Sequence, residues 1–369
     1  PDAAGRRVID LTSLTPAQGF IIQGDTAGDW AGRSVSSAGD VNGDGLDDLI
    51  VSADCGDDGG SNAGQAYVVF GKASGFGTVD GTGRAVIDLT SLAPAQGFVI
   101  QGDTANNQAG MCLSVAGDVN GDGFSDLIVG AIFSYDSFGI NPGKSYVVFG
   151  SASGIGAVDA TGRQVLDLTN LTTAQGFIIV GDQGAYWPYT VPGIGDWAGW
   201  SVSAAGDVNG DGFDDMIVGA FMGDDGGGDA GEAYVVFGKP SGFGAVVSGK
   251  QVIDLTSFTP AEGFIIQGDT AGDAAGYSVS GAGDINGDGF ADVIVGAYTR
   301  QVIDLTTLTS AQGFIIQGDA AGDVAGRSVS DAGDINGDGF DDLIVGAPAG
   351  DDGGIDSGEA YVIFGSAAG

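Results

Sequence analysis

The chain has 369 residues, 49 acidic and 11 basic side chains, no histidine and a formal net charge of −38. Such a polyanion repels nucleic acid and anionic membrane surfaces, and no apolar run approaches the ~18 residues of a membrane span. Without histidine, Ser-His-Asp and Cys-His catalysis are excluded, and with only two cysteines a zinc site is disfavoured. Cys55 and Cys112 are too few for a disulfide framework, and they read either as a pair or as two free buried thiols. Glycine is abundant, yet 43% of residues are hydrophobic and lie in short runs rich in β-formers, so a core is expected.

In chain order, Pro1 opens no signal peptide, so the chain reads as a mature form or a fragment. "RVIDLTSLTPAQGFIIQG" (7–24) predicts a short strand, a polar turn and a second strand, with at most one helical turn in "LTPAQG". "AGRSVSSAGD" (31–40) predicts a strand with small residues in alternation. The nonapeptide "DVNGDGLDD" (40–48) follows as an acidic loop. "DDLIVSA" (47–53) and "GQAYVVFG" (64–71) predict two further strands, joined by the Gly/Asp loop "GDDGG" (56–60).

The pattern then repeats. The nonapeptide returns as "DVNGDGFSD" (118–126), "DVNGDGFDD" (207–215), "DINGDGFAD" (284–292) and "DINGDGFDD" (334–342). Its first residues, 40, 118, 207, 284 and 334, are 78, 89, 77 and 50 residues apart. A period near 78 overrides the two-domain expectation from length. Each unit predicts about four antiparallel strands, which cannot bury both faces alone. Stacking units around an axis gives an all-β propeller of four-stranded antiparallel blades. We read 1–369 as one propeller domain, with repeats near 1–77, 78–156, 157–246, 247–299 (truncated) and 300–369. The fourth lacks an "AYVVFG" strand, because "VGAYT" runs directly into "RQVIDL" at Thr299-Arg300. The chain opens on an outer-strand pattern and ends on the strand that precedes one elsewhere. Ring closure would therefore let the N-terminal strand complete the last blade.

The nonapeptide carries the chemistry. Side-chain oxygens stand at positions 1, 3, 5 and 9, and position 7 offers its backbone carbonyl. That set is Asp40, Asn42, Asp44, Leu46 and Asp48; Asp118, Asn120, Asp122, Phe124 and Asp126; Asp207, Asn209, Asp211, Phe213 and Asp215; Asp284, Asn286, Asp288, Phe290 and Asp292; Asp334, Asn336, Asp338, Phe340 and Asp342. Alternate side chains on a tight glycine turn converge, and hard oxygen donors without nitrogen or sulfur suit calcium, about five ions in all. Position 8 varies (Asp47, Ser125, Asp214, Ala291, Asp341) and reads as solvated, whereas position 9 is always Asp and reads as the bidentate ligand. An EF-hand is excluded, because Val51 stands where it needs Glu. The competing reading is a plain Asn-Gly/Asp-Gly hairpin turn, which needs neither the third carboxylate nor the fixed Asp at position 9.

These residues resemble the FG-GAP repeats of integrin alpha-chain propellers and their bacterial relatives. The resembling block runs from "AGRSVSSAGDVNGDGLDDLIV" to "GAP", intact as Gly346-Ala347-Pro348 and varied as "SAD" (52–54), "GAI" (130–132), "GAF" (219–221) and "GAY" (296–298). The family's "FG" position is Ala-Gly in all five units, as at Ala31-Gly32. The resemblance implies a calcium-binding propeller, usually seven-bladed, on an extracellular or cell-surface protein that binds ligands or partners. It shows no inserted metal-ion-dependent adhesion domain.

Outside the loops, the third unit inserts "QGAYWPYTVPG" (183–193). Tyr186, Trp187, Tyr189, Trp197 and Trp200 are candidate contacts for a glycan or protein ligand, with mutual packing as the alternative. The loop "IFSYDSFGINPG" (132–143) is a weaker candidate. Near-identical repeats offer no dedicated place for a glycosidase acid pair, so no enzyme is expected. Two functions fit: a calcium-stapled adhesion or ligand-binding module, or a structural subunit of an extracellular filament or surface layer whose copies assemble with calcium.

Overall fold

The computed structural model describes residues 6–134, 141–182, 195–268, 270–297, 312–317, 323–351 and 357–367. The chain is all-β and built of successive propeller blades. The first blade runs outward through Val35–Gly39, Asp48–Ala53, Gln65–Val69 and Gly97–Gln101, each antiparallel to the last. The second uses Leu113–Gly117, Asp126–Ala131, Lys144–Val148 and Gly176–Val180. The third uses Ser201–Gly206, Asp215–Ala220, Glu232–Val236 and Gly263–Gln267. Each blade takes its fourth strand from the unit that follows. Innermost strands of neighbouring blades pack side by side in chain order.

The fourth and fifth blades are smaller among the described residues. Ala275–Gly283 pairs with Asp292–Ala297 alone. The missing "AYVVFG" segment explains this, because it is the third strand of every complete blade. Ser328–Gly333, Asp342–Ala347 and Glu359–Ile363 form a three-stranded sheet.

The strand in "VIDL" does not pair with the strand in "GFIIQG" of its own unit. Ala85–Asp88, Gln164–Asp167 and Lys250–Asp254 instead lie parallel to the outer strand one blade back: Ile21–Gln23, Gly97–Gln101 and Gly176–Val180. The turn between these two strands is a 3-10 turn at Leu11–Ser13, Leu89–Ser91, Leu168–Asn170 and Leu255–Ser257. It starts at "DLT" because the preceding Asp caps it, as when Asp88 accepts from the Thr90 N–H at 3.0 Å. Closure of the ring by the N-terminal strand is not seen among the described residues. Among the described residues Ile21–Gln23 pairs with Ala85–Asp88, and Glu359–Ile363 pairs only with Asp342–Ala347.

The core lies between blades. Val68, Phe98 and Ile100 of the first blade meet Leu127, Val129 and Tyr146 of the second in one buried cluster. Val147 and Phe177 meet Val218, Tyr234 and Val236 in the next. A blade covered on both faces buries its second and third strands along their whole length, so these segments read as apolar runs without alternation. The last strand, Glu359–Ile363, instead alternates between half-buried and exposed residues, as a strand with one uncovered face does. Cys55 and Cys112 are free thiols.

Candidate metal centre

Each nonapeptide turns the chain from the first to the second strand of a blade, just past a bulge in the first. In the first loop, Asp40 Oδ1 accepts from the N–H groups of Gly43 (2.7 Å) and Asp44 (3.1 Å), and Oδ2 from Gly45 (2.8 Å). Asn42 Oδ1 accepts from Asp44 N–H at 2.9 Å, and Asp44 Oδ1 from Leu46 N–H at 3.0 Å. Gly43 and Gly45 have φ of +75° and +86°, which only glycine adopts without strain. The same bonds recur around Asp118, Asp207, Asp284 and Asp334. Position 7 donates its N–H to the position 5 carboxylate in Phe124, Phe213, Phe290 and Phe340 as in Leu46.

Position 9 lies at the base of the turn. Asp48, Asp126, Asp215 and Asp342 are fully buried. Asp126 Oδ2 accepts from Val119 N–H at 3.0 Å, and Oδ1 from Gly150 N–H at 2.8 Å. Gly150 follows the third strand of the same blade, so this carboxylate ties the loop to that strand. Asp48, Asp215 and Asp342 do the same through Gly71, Gly238 and Gly365. Asp292 is half-buried and accepts from Ile285 N–H at 3.1 Å; its unit lacks the strand that would bring the glycine. At Asp48, Asp126, Asp215 and Asp292, burial raises the carboxyl more than the N–H donors lower it, and the position 5 and 1 carboxylates add repulsion. Asp48 and Asp215 are pushed up to about 6 and Asp126 to about 8.

Every loop thus brings its residues at positions 1, 3, 5 and 9 into one turn. The donors are all oxygens, and each carries negative charge or an amide carbonyl, which fits a hard cation of the calcium type. Among the described residues no three acidic side chains are drawn into one coordination sphere; backbone N–H groups hold them apart. Position 8 is not simply solvated. Asp214 Oδ2 accepts from Asp118 N–H at 2.8 Å and Asp341 Oδ2 from Asp284 N–H at 3.0 Å, each reaching the loop of the preceding blade.

The loops that follow the second and fourth strands lie at the other end of each blade, by the alternation of strands. Tyr186, Trp187 and Tyr189 fall outside the described residues. Trp197 and Trp200 stack on each other with centroids 6.0 Å apart, and both meet Phe221. Phe133 extends this aromatic row on one side and Tyr277 on the other. The Trp197 indole N–H is buried without an acceptor among the described residues.

One recurring residue ends the loop "GDTAGD" (24–29 and 268–273), which by sequence reads as a turn rather than as a further carboxylate site. Asp29, Asn107, Asp196, Asp273 and Asp323 are all buried at one equivalent position. The residue after each has a positive φ: Trp30, Gln108, Trp197, Ala274 and Val324. Asp196 is pushed up to about 9, first by burial and then by repulsion from Glu232, Asp182, Asp224 and Asp225. The signal was available in the repeated Asp or Asn two residues before "AG".

Comparison with known proteins agrees with this architecture. The FG-GAP repeat model matches residues 31–69, 113–148, 198–236, 275–302 and 326–363. The chain is similar to integrin alpha pat-2 of Caenorhabditis briggsae, 28% identical over 266 residues, which covers 71% of this chain and 17% of that protein. It is also similar to integrin alpha-7 of Mus musculus (29% over 215 residues; 56% of this chain, 14% of that protein). With integrin alpha-PS5 of Drosophila melanogaster the identity is 31% over 219 residues, 58% of this chain and 17% of that protein. The chain therefore spans less than a fifth of the length of these relatives.

Proposed function

For a chain built of five FG-GAP repeats and homologous to integrin alpha chains at modest identity, we propose an extracellular, calcium-stapled propeller that serves as a non-catalytic adhesion or ligand-binding module. The observation that carries this reading is the five-fold recurrence of one all-oxygen turn with a buried carboxylate at its base. Asp40, Asn42, Asp44 and Asp48 would hold the ion, together with the Leu46 carbonyl, and likewise their equivalents in the other four loops. The ion would supply positive charge to a turn that otherwise concentrates three carboxylates. Extracellular calcium modules bind at about 10⁻⁴–10⁻³ M, so each site contributes about 0.4–1.4 kcal/mol at millimolar calcium and little in a calcium-poor cytosol. The ligand surface is the aromatic row that includes Trp197 and Trp200, where half-buried rings offer stacking faces to a sugar or to a partner side chain. Among the described residues no helix is long and apolar enough to cross a membrane.

A second reading, assembly of copies into a filament or surface layer, is favoured by one observation. The edge of Glu359–Ile363 has no strand beside it among the described residues, and Val362 and Phe364 are 46% and 61% exposed there. Light scattering of calcium-stripped chain, with calcium restored to a few millimolar, separates the two. A compact single chain supports the module. A mass that climbs with calcium supports assembly. No response to calcium removes the site on which both rest.

A further inference from the structure

We infer that the five loops form one coupled row, in which residues 7 and 8 of each loop position the loop before it, so that cation binding at one loop strengthens binding at its neighbour. The inference rests on the calcium reading above.

Two contacts connect each loop to the next, and two of the four junctions have a third. The position 8 N–H donates to the position 1 carbonyl of the preceding loop at all four junctions: Ser125 to Asp40 (3.1 Å), Asp214 to Asp118 (3.3 Å), Ala291 to Asp207 (3.1 Å) and Asp341 to Asp284 (3.4 Å). The position 7 rings of Phe124, Phe213, Phe290 and Phe340 lie against Gly43, Gly121, Gly210 and Gly287, so closely that a Cβ on any of these glycines would strike the ring. At two junctions the position 8 carboxylate also accepts from the position 1 N–H, Asp214 from Asp118 and Asp341 from Asp284. Position 1 supplies a proposed ligand, and the next loop holds its carbonyl at all four junctions and its N–H as well at Asp118 and Asp284. A loop ordered by its own cation fixes residues 7 and 8, and these lower the entropy its neighbour must lose on binding.

The row has a weak junction. The position 2 carbonyls of Val41, Val119 and Ile285 accept from Ser151, Lys239 and Ser366, each just past a third strand. Among the described residues Val208 has no such partner, because the fourth unit lacks that strand. Ala291 also brings no carboxylate to Asp207. Coupling is therefore weakest between the third and fourth loops and strongest across Asp214 and Asp341.

Hydrogen exchange of the full chain during a calcium titration tests this loop by loop. Asp214→Ala leaves the side-chain ligands of its own loop in place, and alanine is already the native residue at Ala291. We expect it to raise the calcium midpoint for protection of residues 118–126 by about 3- to 10-fold, with residues 334–342 unchanged. Asp214→Asn keeps an acceptor for the Asp118 N–H and should stay within about 2-fold of the native chain. Phe213→Ala should shift 118–126 in the same direction as Asp214→Ala. Coupling is overturned if the native loops respond to calcium but 118–126 keeps its midpoint in both alanine variants. If no native loop gains protection with calcium, the calcium reading itself fails and the coupling with it.

Discussion

Arg163 meets three carboxylates at once. It sits in the hairpin Ala157–Val158/Gln164–Asp167, which lies on the outer edge of the first blade. Its guanidinium meets Asp58 at 2.7 Å, Asp159 at 3.2 Å and Asp25 at 3.5 Å. These partners differ in exposure: the Asp25 side chain is 6% exposed, and that of Asp58 is 42%. The Asp58 arm is a surface pair worth about 0–1 kcal/mol. The Asp25 arm is different. Asp25 Oδ2 also accepts from the Tyr67 hydroxyl at 2.6 Å, whereas Oδ1 is buried without a hydrogen-bond partner among the described residues. Removing the guanidinium leaves that buried carboxylate without its cation, and breaking such a pair costs about 3–5 kcal/mol. We expect Arg163→Met to cost about 3 kcal/mol in urea unfolding. At about 2.1 cal/mol/K per residue over 369 residues, this lowers Tm by about 4 °C. Asp25→Asn in the same chain should restore most of the loss, because it removes the stranded charge. A single-variant loss below about 1 kcal/mol, or no recovery in the double variant, would refute the argument.

Three other outcomes follow from the same structure. Chelating calcium should lower Tm by about 3–9 °C, the equivalent of about 2–7 kcal/mol from five sites, read by calorimetry with and without the metal; an unchanged Tm would sink the staple. Leu168→Ala, at a fully buried side chain in the 3-10 turn between units, should cost about 2–5 kcal/mol in urea unfolding; a loss below 1 kcal/mol would mean that the crossing strand is not part of the core. Asp196 sits near pKa 9 in the fold against about 4 in the unfolded chain, so the stability it confers below about pH 4 is lost as pH rises to about 9. Asp196→Asn should flatten that slope in melts across this range, and a slope equal to that of the native chain would count against it.

Much of the fold was readable because a strand buried on both faces has a plain signature. "DDLIVSA" and "QAYVVFG" are strands wherever they occur, and the acidic turn between the first two strands follows from its glycines. What period-2 patterning does not encode is the partner. Only seven residues separate "VIDL" from "GFIIQ", yet the Asp-capped 3-10 turn sends them to different partner strands. Position 8 was missed for a related reason. Ser125, Asp214, Ala291 and Asp341 differ in side chain, and variation reads as solvent exposure. The contact common to all four is made by the backbone N–H, which any of these residues supplies. The buried Asp196 set was hidden because an acidic residue beside Gly and Ala looks like a turn, and burial is a tertiary property.

The fixed Asp at position 9 now has two physical reasons, and they reinforce each other. As a fold element it accepts from the loop at Val119 and from the strand end at Gly150, which explains why "FG" closes every third strand that is present. That geometry requires burial, and burial beside Asp118 and Asp122 makes its charge costly, as its pKa near 8 records. A neutral turn would avoid the cost, and the carboxamide of Asn could serve one of the two N–H groups but not both. Keeping Asp at this position therefore retains both backbone ties and leaves a strained anion at the base of the loop. In the calcium reading proposed above, a cation held by this carboxylate and the other oxygens of the turn would relieve that strain. The residue that fastens the loop to its blade would then also be the one that makes the loop favour a cation, and the fastening is weakest in the truncated fourth unit, where Asp292 is half-buried and lacks its glycine donor.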